Sequence, residues 1–195
     1  QRSLGLAATI LPMSDTPVRT EVLTDDGWLE FQDYFVRRHQ EPTVRDVRFR
    51  GIEDATSTPE IDAALQSAEA ILIAPSNPFV SIRPILAVMG TEAAIQTART
   101  RGVPVVAVSG IVGGAALKGP ADRMLVSLGH EASALGVARQ FTGIADVFVL
   151  DRIDAALESP IQALGMRTLV TDTIMAGDRA RARLAGEILA FARTG

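Results

Sequence analysis

The chain has 195 residues, enough for one domain with a substantial core, and 47% of them are hydrophobic while only 5% are aromatic. Its formal net charge of −4 offers no basic surface to nucleic acid, and no apolar run reaches the length of a membrane span. Cysteine is absent from the sequence, which excludes disulfides and thiolate chemistry and fits a reducing compartment. We therefore expect a cytoplasmic protein that binds neither nucleic acid nor membranes. Because the chain begins at Gln1, we also expect it to be part of a longer product.

The first part of the chain, about residues 15–55, is predicted to be rich in β-structure. Strands are predicted at Glu21–Thr24, Trp28–Val36 and Val44–Arg50, with Asp25-Asp26-Gly27 as a hairpin turn. The second strand mixes aromatic and acidic positions, which is typical of a half-exposed antiparallel strand. We expect this subregion to form a small antiparallel layer that closes one side of a pocket.

From residue 58 to residue 195 the pattern changes to an α/β core. The predicted elements, in chain order, are helix Pro59–Ala68, strand Ile71–Ala74, helix Thr91–Arg101, strand Val103–Val108, helix Pro120–Leu128, helix Ser133–Phe141, strand Val147–Leu150, strand Arg167–Val170 and helix Asp178–Arg193. The strands are continuous apolar runs, which indicates burial on both faces. The sequence therefore predicts a Rossmann-like, mostly parallel sheet with helices on both faces and a small antiparallel β-rich insertion.

Ligands gather at the carboxyl ends of parallel strands, so the strand exits are the places to search for chemistry. The first exit, Pro75-Ser-Asn-Pro78, presents Ser76 and Asn77 between two prolines, and Ser81 follows. A hydroxyl and an amide held there can bind a ribose, a base edge or a phosphate oxygen. A helix cap built from serine and asparagine explains the same residues.

The second exit is rich in glycine and carries the only lysine of the sequence. Ser109, Gly110, Gly113 and Gly114 allow close backbone approach and offer N–H groups to an anion, and Lys118 precedes a helix start. This order suits a phosphate site, although it does not match the P-loop pattern. An ordinary glycine-rich turn is the alternative. We expect the first two exits to open on one shared pocket, because their strands are predicted to be adjacent and parallel.

The third exit contains Asp151 and Asp154, which fit either a metal site or helix capping. The two histidines, His39 and His130, lack the spacing and partners of metal ligands, so we expect both at the surface.

Four compound motifs occur in an order that resembles one family. They are LPMSDTPVRT (Leu11–Thr20), FQDYFV (Phe31–Val36), APSNPFVSIRPIL (Ala74–Leu86) and VSGIVGGAALKGPAD (Val108–Asp122), and the similarity continues through TDTIMAGDRARARLA (Thr171–Ala185). The family that they resemble is 2-phospho-L-lactate transferase, CofD or FbiA, of coenzyme F-420 biosynthesis. The resemblance covers nearly the whole chain.

The resemblance implies a transferase assisted by Mg²⁺. Such an enzyme moves a phospholactyl or phosphoenolpyruvyl group from a guanosine diphosphate-linked donor to 7,8-didemethyl-8-hydroxy-5-deazariboflavin and releases GMP. The partners implied are therefore this donor and the deazaflavin acceptor, and we expect a homodimer. The diphosphate would lie against the polar groups of the first two exits, which are Ser76, Asn77, Ser81, Ser109, Gly110, Gly113, Gly114 and Lys118. Met13, Ser14 and Asp15 are the candidates on the deazaflavin side.

The resemblance also implies that essential groups lie upstream of Gln1. Family members begin with a strand, a Gly-Gly-Thr-Gly-Gly type of turn and an acidic segment, where the catalytic residues and metal ligands are expected. No metal ligand is expected within this chain, which by itself should bind guanine nucleotide weakly and transfer nothing. Two further positions depart from the family pattern: Gly110 stands in place of proline, and Arg83 stands in place of glycine.

Two other functions fit the same features. A non-catalytic relative of the gluconeogenesis-factor type would bind a nucleotide sugar and act in regulation. A unit that serves only in oligomerisation would use an exposed sheet edge for pairing.

Overall fold

The computed structural model of the chain describes residues 8–194, in which helices and strands alternate after an antiparallel β-sheet. The strands are β1 Arg19–Thr24, β2 Gly27–Glu30, β3 Asp46–Arg50, β4 Ile71–Ile73, β5 Val105–Val108, β6 Ile111–Val112, β7 Ala115–Ala116, β8 Val147–Asp151 and β9 Arg167–Thr171. The α-helices are α1 Pro59–Ser67, α2 Arg83–Leu86, α3 Thr91–Thr100, α4 Ala121–Ser127, α5 Ala134–Arg139, α6 Glu158–Gln162 and α7 Asp178–Ala192. Among residues 8–194, no helix is both long and apolar enough to cross a membrane.

The central sheet has four parallel strands in the order β4-β5-β8-β9. Strand β4 pairs with β5 in a register that sets Ile71 against Val105 and Ile73 against Ala107. The prediction that these two strands are adjacent and parallel is therefore confirmed. Since parallel strands end at the same edge of a sheet, the two polar exits emerge side by side.

Both faces of the sheet are covered, as the continuous apolar strands predicted. One face of β5 and β8 packs against Leu184, Ile188 and Ala192 of α7. The opposite face, with Phe148 and Leu150 at its centre, joins the main core beneath the other helices. Full burial of each large aliphatic or aromatic side chain stabilises the fold by about 1.5–3 kcal/mol, so this double packing holds the strand exits in place. The predicted Rossmann-like α/β fold is confirmed.

The predicted antiparallel layer is also present, as a three-stranded sheet in the order β2-β1-β3. Its outer face carries ion pairs of Glu21 with Arg48 and Arg50, and the Arg48 guanidinium lies 4.1 Å from the centre of the Trp28 ring. Its inner face contributes Val22 to the main core.

The predicted strand Trp28–Val36 was wrong in its second half. Strand β2 ends at Glu30, and a π-helical turn spans Asp33–Arg37. The aromatic side chains of Phe31, Tyr34 and Phe35 explain the difference, because positions i, i+3 and i+4 share one face of a helix. The Phe31 ring lies 5.6 Å from that of Phe35 and 6.2 Å from that of Tyr34, which is buried. Helical spacing of aromatic residues therefore outweighed the local β-pattern.

The first, proline-rich exit and the second, glycine-rich exit each contain a secondary-structure element that the sequence did not predict. Ile111–Ala116 contains a short hairpin of β6 and β7, and a π-helical turn over Pro78–Ile82 leads directly into α2. Pro78 takes the first position of that turn, where a missing N–H costs nothing.

Candidate functional site

A cleft of about 690 Å³ opens at the carboxyl ends of β4 and β5. The first two polar exits form its floor, the segment after β2 forms one wall, and the loop before α7 forms another. The residues that line it are Phe31, Phe35, Pro75, Ser76, Asn77, Val80, Ser81, Ser109, Gly110, Leu117, Lys118, Gly119, Pro120, Ala121, Thr173, Ile174, Met175, Ala176 and Arg181. The prediction of a shared pocket is confirmed. The β-rich subregion also closes one side of the pocket, although with the helical turn after β2 and not with a strand.

The first exit combines capping with exposed hydroxyl groups. The Asn77 side-chain oxygen accepts hydrogen bonds from the N–H groups of Phe79 at 2.9 Å and Val80 at 3.4 Å, and so caps the turn that follows. The hydroxyls of Ser76 and Ser81 line the cleft and have no hydrogen-bond partner within residues 8–194. The asparagine therefore orients the turn, while the two serines are available to a ligand.

The second exit approaches the first closely at Gly110, where any side chain would crowd the backbone of the first exit. A Cβ atom built on Gly110 would lie 3.3 Å from the carbonyl oxygen of Ser76. The buried Ser109 hydroxyl donates to the carbonyl of Ile111 at 2.7 Å and accepts from its N–H, which holds the chain in a tight turn. Ser109 therefore shapes the cleft floor, and Gly110 allows the two strand exits to meet.

Gly113 and Gly114 occupy the hairpin between β6 and β7, and neither lines the cleft. Both have positive φ angles, of 58° and 81°, which explains why glycine is used in this turn. The N–H of Gly113 donates to both carboxylate oxygens of Asp154, at 3.0 and 3.2 Å. This N–H is thus occupied by a protein carboxylate.

Lys118 lies at the rim of the cleft, just before α4. Its side chain is exposed and has no hydrogen-bond or ion-pair partner in the described part of the chain. The next residue, Gly119, has a φ of 73°, and a Cβ atom there would lie 3.8 Å from the Phe35 ring. The loop that carries Lys118 therefore contacts the wall that contains Phe35 at Gly119.

The wall formed by the loop before α7 is anchored by Asp151, at the end of β8. One carboxylate oxygen accepts the N–H of Thr173 at 2.8 Å and its hydroxyl at 2.9 Å, and the other accepts the N–H of Ile153. Burial opposes ionisation of Asp151, but the hydrogen bonds from Thr173 and Ile153 outweigh it and lower the pKa of this carboxyl. Asp151 therefore caps the helical turn Arg152–Leu157, which was one of the two roles left open, whereas Asp154 lies within that turn and instead accepts the N–H of Gly113 in the hairpin.

The charges around the cleft differ in sign from those of the whole chain. Lys118 and Arg181 line it, and none of the described residues that line it is acidic. The protein as a whole carries a net charge of −4, so the charged side chains that line the cleft have the sign that suits an anion. The wall after β2 is apolar: Phe31 and Phe35 offer a surface suited to a flat ring system, and Met175 of the loop before α7 adds a further apolar side chain to the cleft.

Phe31, Phe35 and Arg181 were not among the predicted site residues, although they fall within the motifs FQDYFV and TDTIMAGDRARARLA that carry the family resemblance. The helical spacing of Phe31, Tyr34 and Phe35 was a usable signal for the wall. No sequence signal marked Arg181, because several arginines alternate along the same segment and only the fold shows which of them lines the cleft.

The candidates on the deazaflavin side lie elsewhere. Met13, Ser14 and Asp15 do not line the cleft, and the Ser14 hydroxyl accepts the N–H of Thr16 at 3.1 Å. The Thr16 hydroxyl in turn donates to the carbonyl of Asp54, which places this segment beside the turn that follows β3.

Arg83 and His130 belong to a second, separate cavity of about 390 Å³. The Arg83 guanidinium lies over the ring of Phe79 and donates to Gln140, while half-buried His130 stacks on the same ring at 5.4 Å. His39 is exposed and has a positive φ of 50°. Arg83 thus packs against Phe79 and adds no charge to the main cleft.

The described residues do not provide a site for Mg²⁺. Residues 8–194 contain no group of three or more acidic or histidine side chains that could hold a metal ion, and no carboxylate from them lines the cleft. Magnesium bound with a substrate phosphate still requires one or two carboxylates. The donor set of this chain therefore does not fit the implied ion, and we assign it no residue here.

The fold resembles that of solved structures of distant sequence. Two crystal structures of a Bacillus halodurans protein of the UPF0052 family match with TM-scores of 0.64 and 0.60, at 16% and 15% identity. They cover 96% and 94% of this chain, and 64% and 63% of the matched chains. At such low identity, the likeness concerns the fold alone.

Sequence relatives are closer. The chain is 40% identical to the 2-phospho-L-lactate transferase of Methanosarcina mazei, over 88% of this chain and 55% of the relative. It is 38% identical to that of Methanothermobacter thermautotrophicus, over 96% and 60%, and 38% identical to the phosphoenolpyruvate transferase of Streptomyces griseus, over 94% and 58%. The chain thus spans somewhat more than half the length of these relatives. The family model described as 2-phospho-L-lactate transferase CofD matches residues 1–179, and the chain belongs to that family.

Proposed function

We propose that the protein transfers a phosphorylated three-carbon acid from a guanosine diphosphate-linked donor to the ribityl hydroxyl of a deazaflavin, with release of GMP. The single observation that carries this proposal is the composition of the cleft. It joins two cations and the free hydroxyls of Ser76 and Ser81 to an apolar aromatic wall, and no described residue that lines it is acidic. A diphosphate and a planar ring are the two chemical features that such a cleft suits.

In the proposed reaction, the acceptor hydroxyl attacks the phosphorus atom next to the three-carbon acid. A new oxygen–phosphorus bond forms, the bond from this phosphorus to the bridging oxygen of the diphosphate breaks, and GMP leaves with that oxygen. Catalysis of such a step depends mainly on alignment and on neutralisation of charge. No carboxylate from residues 8–194 lines the cleft, so we assign the hydroxyl proton to no residue of this chain.

We place the nucleotide diphosphate over the floor formed by the first two strand exits. Ser76 and Ser81 would donate to phosphate oxygens, and Lys118 would neutralise charge from the rim. Gly110 would let the phosphates approach the backbone. Asn77, Ser109 and Gly113 would support the floor indirectly, since their polar groups already make internal hydrogen bonds. The donor therefore contacts fewer of the candidate residues than the sequence predicts.

We place the deazaflavin ring against Phe31 and Phe35 in preference to Met13, Ser14 and Asp15. The aromatic rings line the cleft, whereas the other segment lies outside it. The transferred group is either phospholactate or phosphoenolpyruvate, because relatives named for each transfer match this chain with similar identity. The relatives named above are transferases, so a regulatory nucleotide-sugar binder is not favoured.

The test is a GMP-release assay on the native product of the gene that encodes these residues. The assay supplies the donor, the deazaflavin and Mg²⁺, and chromatography follows both GMP and the phosphorylated deazaflavin. We expect the two products to form in equal amounts. Guanosine diphosphate-linked donor that remains intact while the protein is folded and saturated would contradict the proposal. The 195-residue chain alone should bind GDP weakly and form neither product.

A further inference from the structure

Three arginines alternate along the start of α7, at positions 179, 181 and 183, and the fold gives them different environments. Arg183 makes internal hydrogen bonds: it donates to the carbonyl of Asp172 and to both carboxylate oxygens of Glu187. Arg179 is exposed and does not line the cleft. Arg181 is the only one of the three that lines the cleft, to which α7 and the loop before it contribute.

Arg181 is held only weakly by its protein partner. It pairs with Asp178 at 2.8 Å, but 62% of the Arg181 side chain and 99% of the Asp178 side chain are exposed to solvent. Exposed ion pairs of this kind contribute little to stability, so a ligand can replace Asp178 as the partner of the guanidinium with little loss of free energy. No other residue between 8 and 194 accepts a hydrogen bond from the Arg181 side chain. The group is therefore available at the mouth of an anion-binding cleft.

We propose that Arg181 binds the carboxylate of the acid that is transferred. This proposal rests on the proposed function, and it names a residue for the end of the donor that Lys118 does not neutralise. Both candidate groups, phospholactate and phosphoenolpyruvate, carry a carboxylate beside the phosphate. A planar guanidinium offers two parallel N–H groups that match the two oxygens of a carboxylate, whereas an ammonium acts as a point charge on any oxygen anion. Lys118 lies beside the strand exits, over which the diphosphate is placed, while Arg181 lines the cleft from α7, so the guanidinium is the cation left for the carboxylate.

The test compares two ligands that differ in this carboxylate. Calorimetry on the native product of the gene measures binding of GDP and of guanosine diphosphate-linked phospholactate by wild type and by Arg181→Gln. We expect Arg181→Gln to weaken binding of the donor about tenfold or more and to leave GDP binding within twofold. Arg181→Lys should recover only part of the loss. Wild type should bind the methyl ester of the donor as weakly as Arg181→Gln binds the donor itself.

Arg179→Gln is the matched control, because it removes the same charge from the same helical turn without touching the cleft. It should leave both affinities unchanged. An equal loss of GDP and donor binding in Arg181→Gln, or no loss of either, would overturn the assignment of Arg181 and leave the proposed function standing. Failure of wild type to bind either nucleotide would instead refute the proposed function, together with this assignment.

Discussion

Asp151 and Thr173 join the end of β8 to the loop before α7, which forms one wall of the cleft. A single carboxylate oxygen of Asp151 accepts both the N–H and the hydroxyl of Thr173, at 2.8 and 2.9 Å, and both residues are buried. The wall residues Ile174 and Met175 follow directly in the chain. The position of this wall therefore depends on one buried carboxylate.

Replacing this carboxylate should destabilise the protein. Asp151→Ala leaves the buried N–H of Thr173 without its partner, which costs about 1–3 kcal/mol of unfolding free energy. Urea denaturation followed by circular dichroism measures the loss. The control is Asp178→Ala, whose side chain is 99% exposed and should change stability by about 0.5 kcal/mol or less. Equal stability of Asp151→Ala and wild type would show that the hydrogen bonds to Thr173 are dispensable.

The same residue predicts a pH dependence. Because the folded protein lowers the pKa of Asp151 below its ordinary value of 3.8, ionisation of this group stabilises the fold. This contribution is fully present above the unfolded pKa of 3.8 and is lost as the pH falls through the lower, folded pKa. The difference in unfolding free energy between wild type and Asp151→Asn should thus stay constant at neutral pH and shrink below about pH 4. A difference that grows on acidification would reverse the sign of the shift.

Gly110 should tolerate no branched side chain. A Cβ atom at this position already lies 3.3 Å from the Ser76 carbonyl oxygen, and the two methyl groups of valine add to the crowding. We expect Gly110→Val to lower stability by about 1–3 kcal/mol and to weaken GDP binding, as the exits of β4 and β5 move apart. Thermal unfolding and calorimetry measure the two effects. Gly186→Ala is the control, since open space surrounds that position in α7 and alanine favours a helix.

The aromatic wall predicts a selective effect on the acceptor. Phe35→Ala removes a ring that lines the cleft and lies 5.6 Å from Phe31. We expect it to weaken deazaflavin binding roughly three- to tenfold and to leave GDP binding unchanged. Titration of deazaflavin fluorescence measures the loss. Phe49→Ala, which changes the second cavity, is the matched control. If Met13→Ala weakened deazaflavin binding and Phe35→Ala did not, the acceptor would have to be placed at Met13, Ser14 and Asp15 instead.

The sequence was sufficient for those parts of the fold that depend on local pattern. Continuous apolar strands and alternating helices predicted the parallel sheet, and the order of strand exits predicted that Ser76 and Ser109 line one cleft. The error at Trp28–Val36 arose because the acidic and aromatic residues there fit two periods, and burial of Tyr34 in the core decided between them. Tertiary packing overrides local propensity in such segments.

The polar partners of the site could not be predicted in the same way. Asp154 accepts the N–H of Gly113 from 41 positions away in the chain, and Asp151 pairs with Thr173 across 22 positions. Nothing in the local sequence distinguishes such a carboxylate from a metal ligand, and both roles remained open until the partners were known. Arg181 likewise became distinct from Arg179 only when the fold showed which of them lines the cleft.

Lys118 provides the most direct test of the cleft as a diphosphate site. The measurement is a calorimetric titration of wild type and Lys118→Ala with GDP. Arg179→Ala is titrated as a charge-matched control, and the melting temperature of each protein is measured as well. Loss of a hydrogen bond to a charged phosphate, worth roughly 1.5–3 kcal/mol, should raise the dissociation constant about 10- to 150-fold in Lys118→Ala. Lys118→Arg should recover part of this loss, and the melting temperatures should agree because the side chain is exposed and unpaired within residues 8–194. Superimposable titrations of wild type and Lys118→Ala, with equal melting temperatures, would contradict the placement of the diphosphate in this cleft.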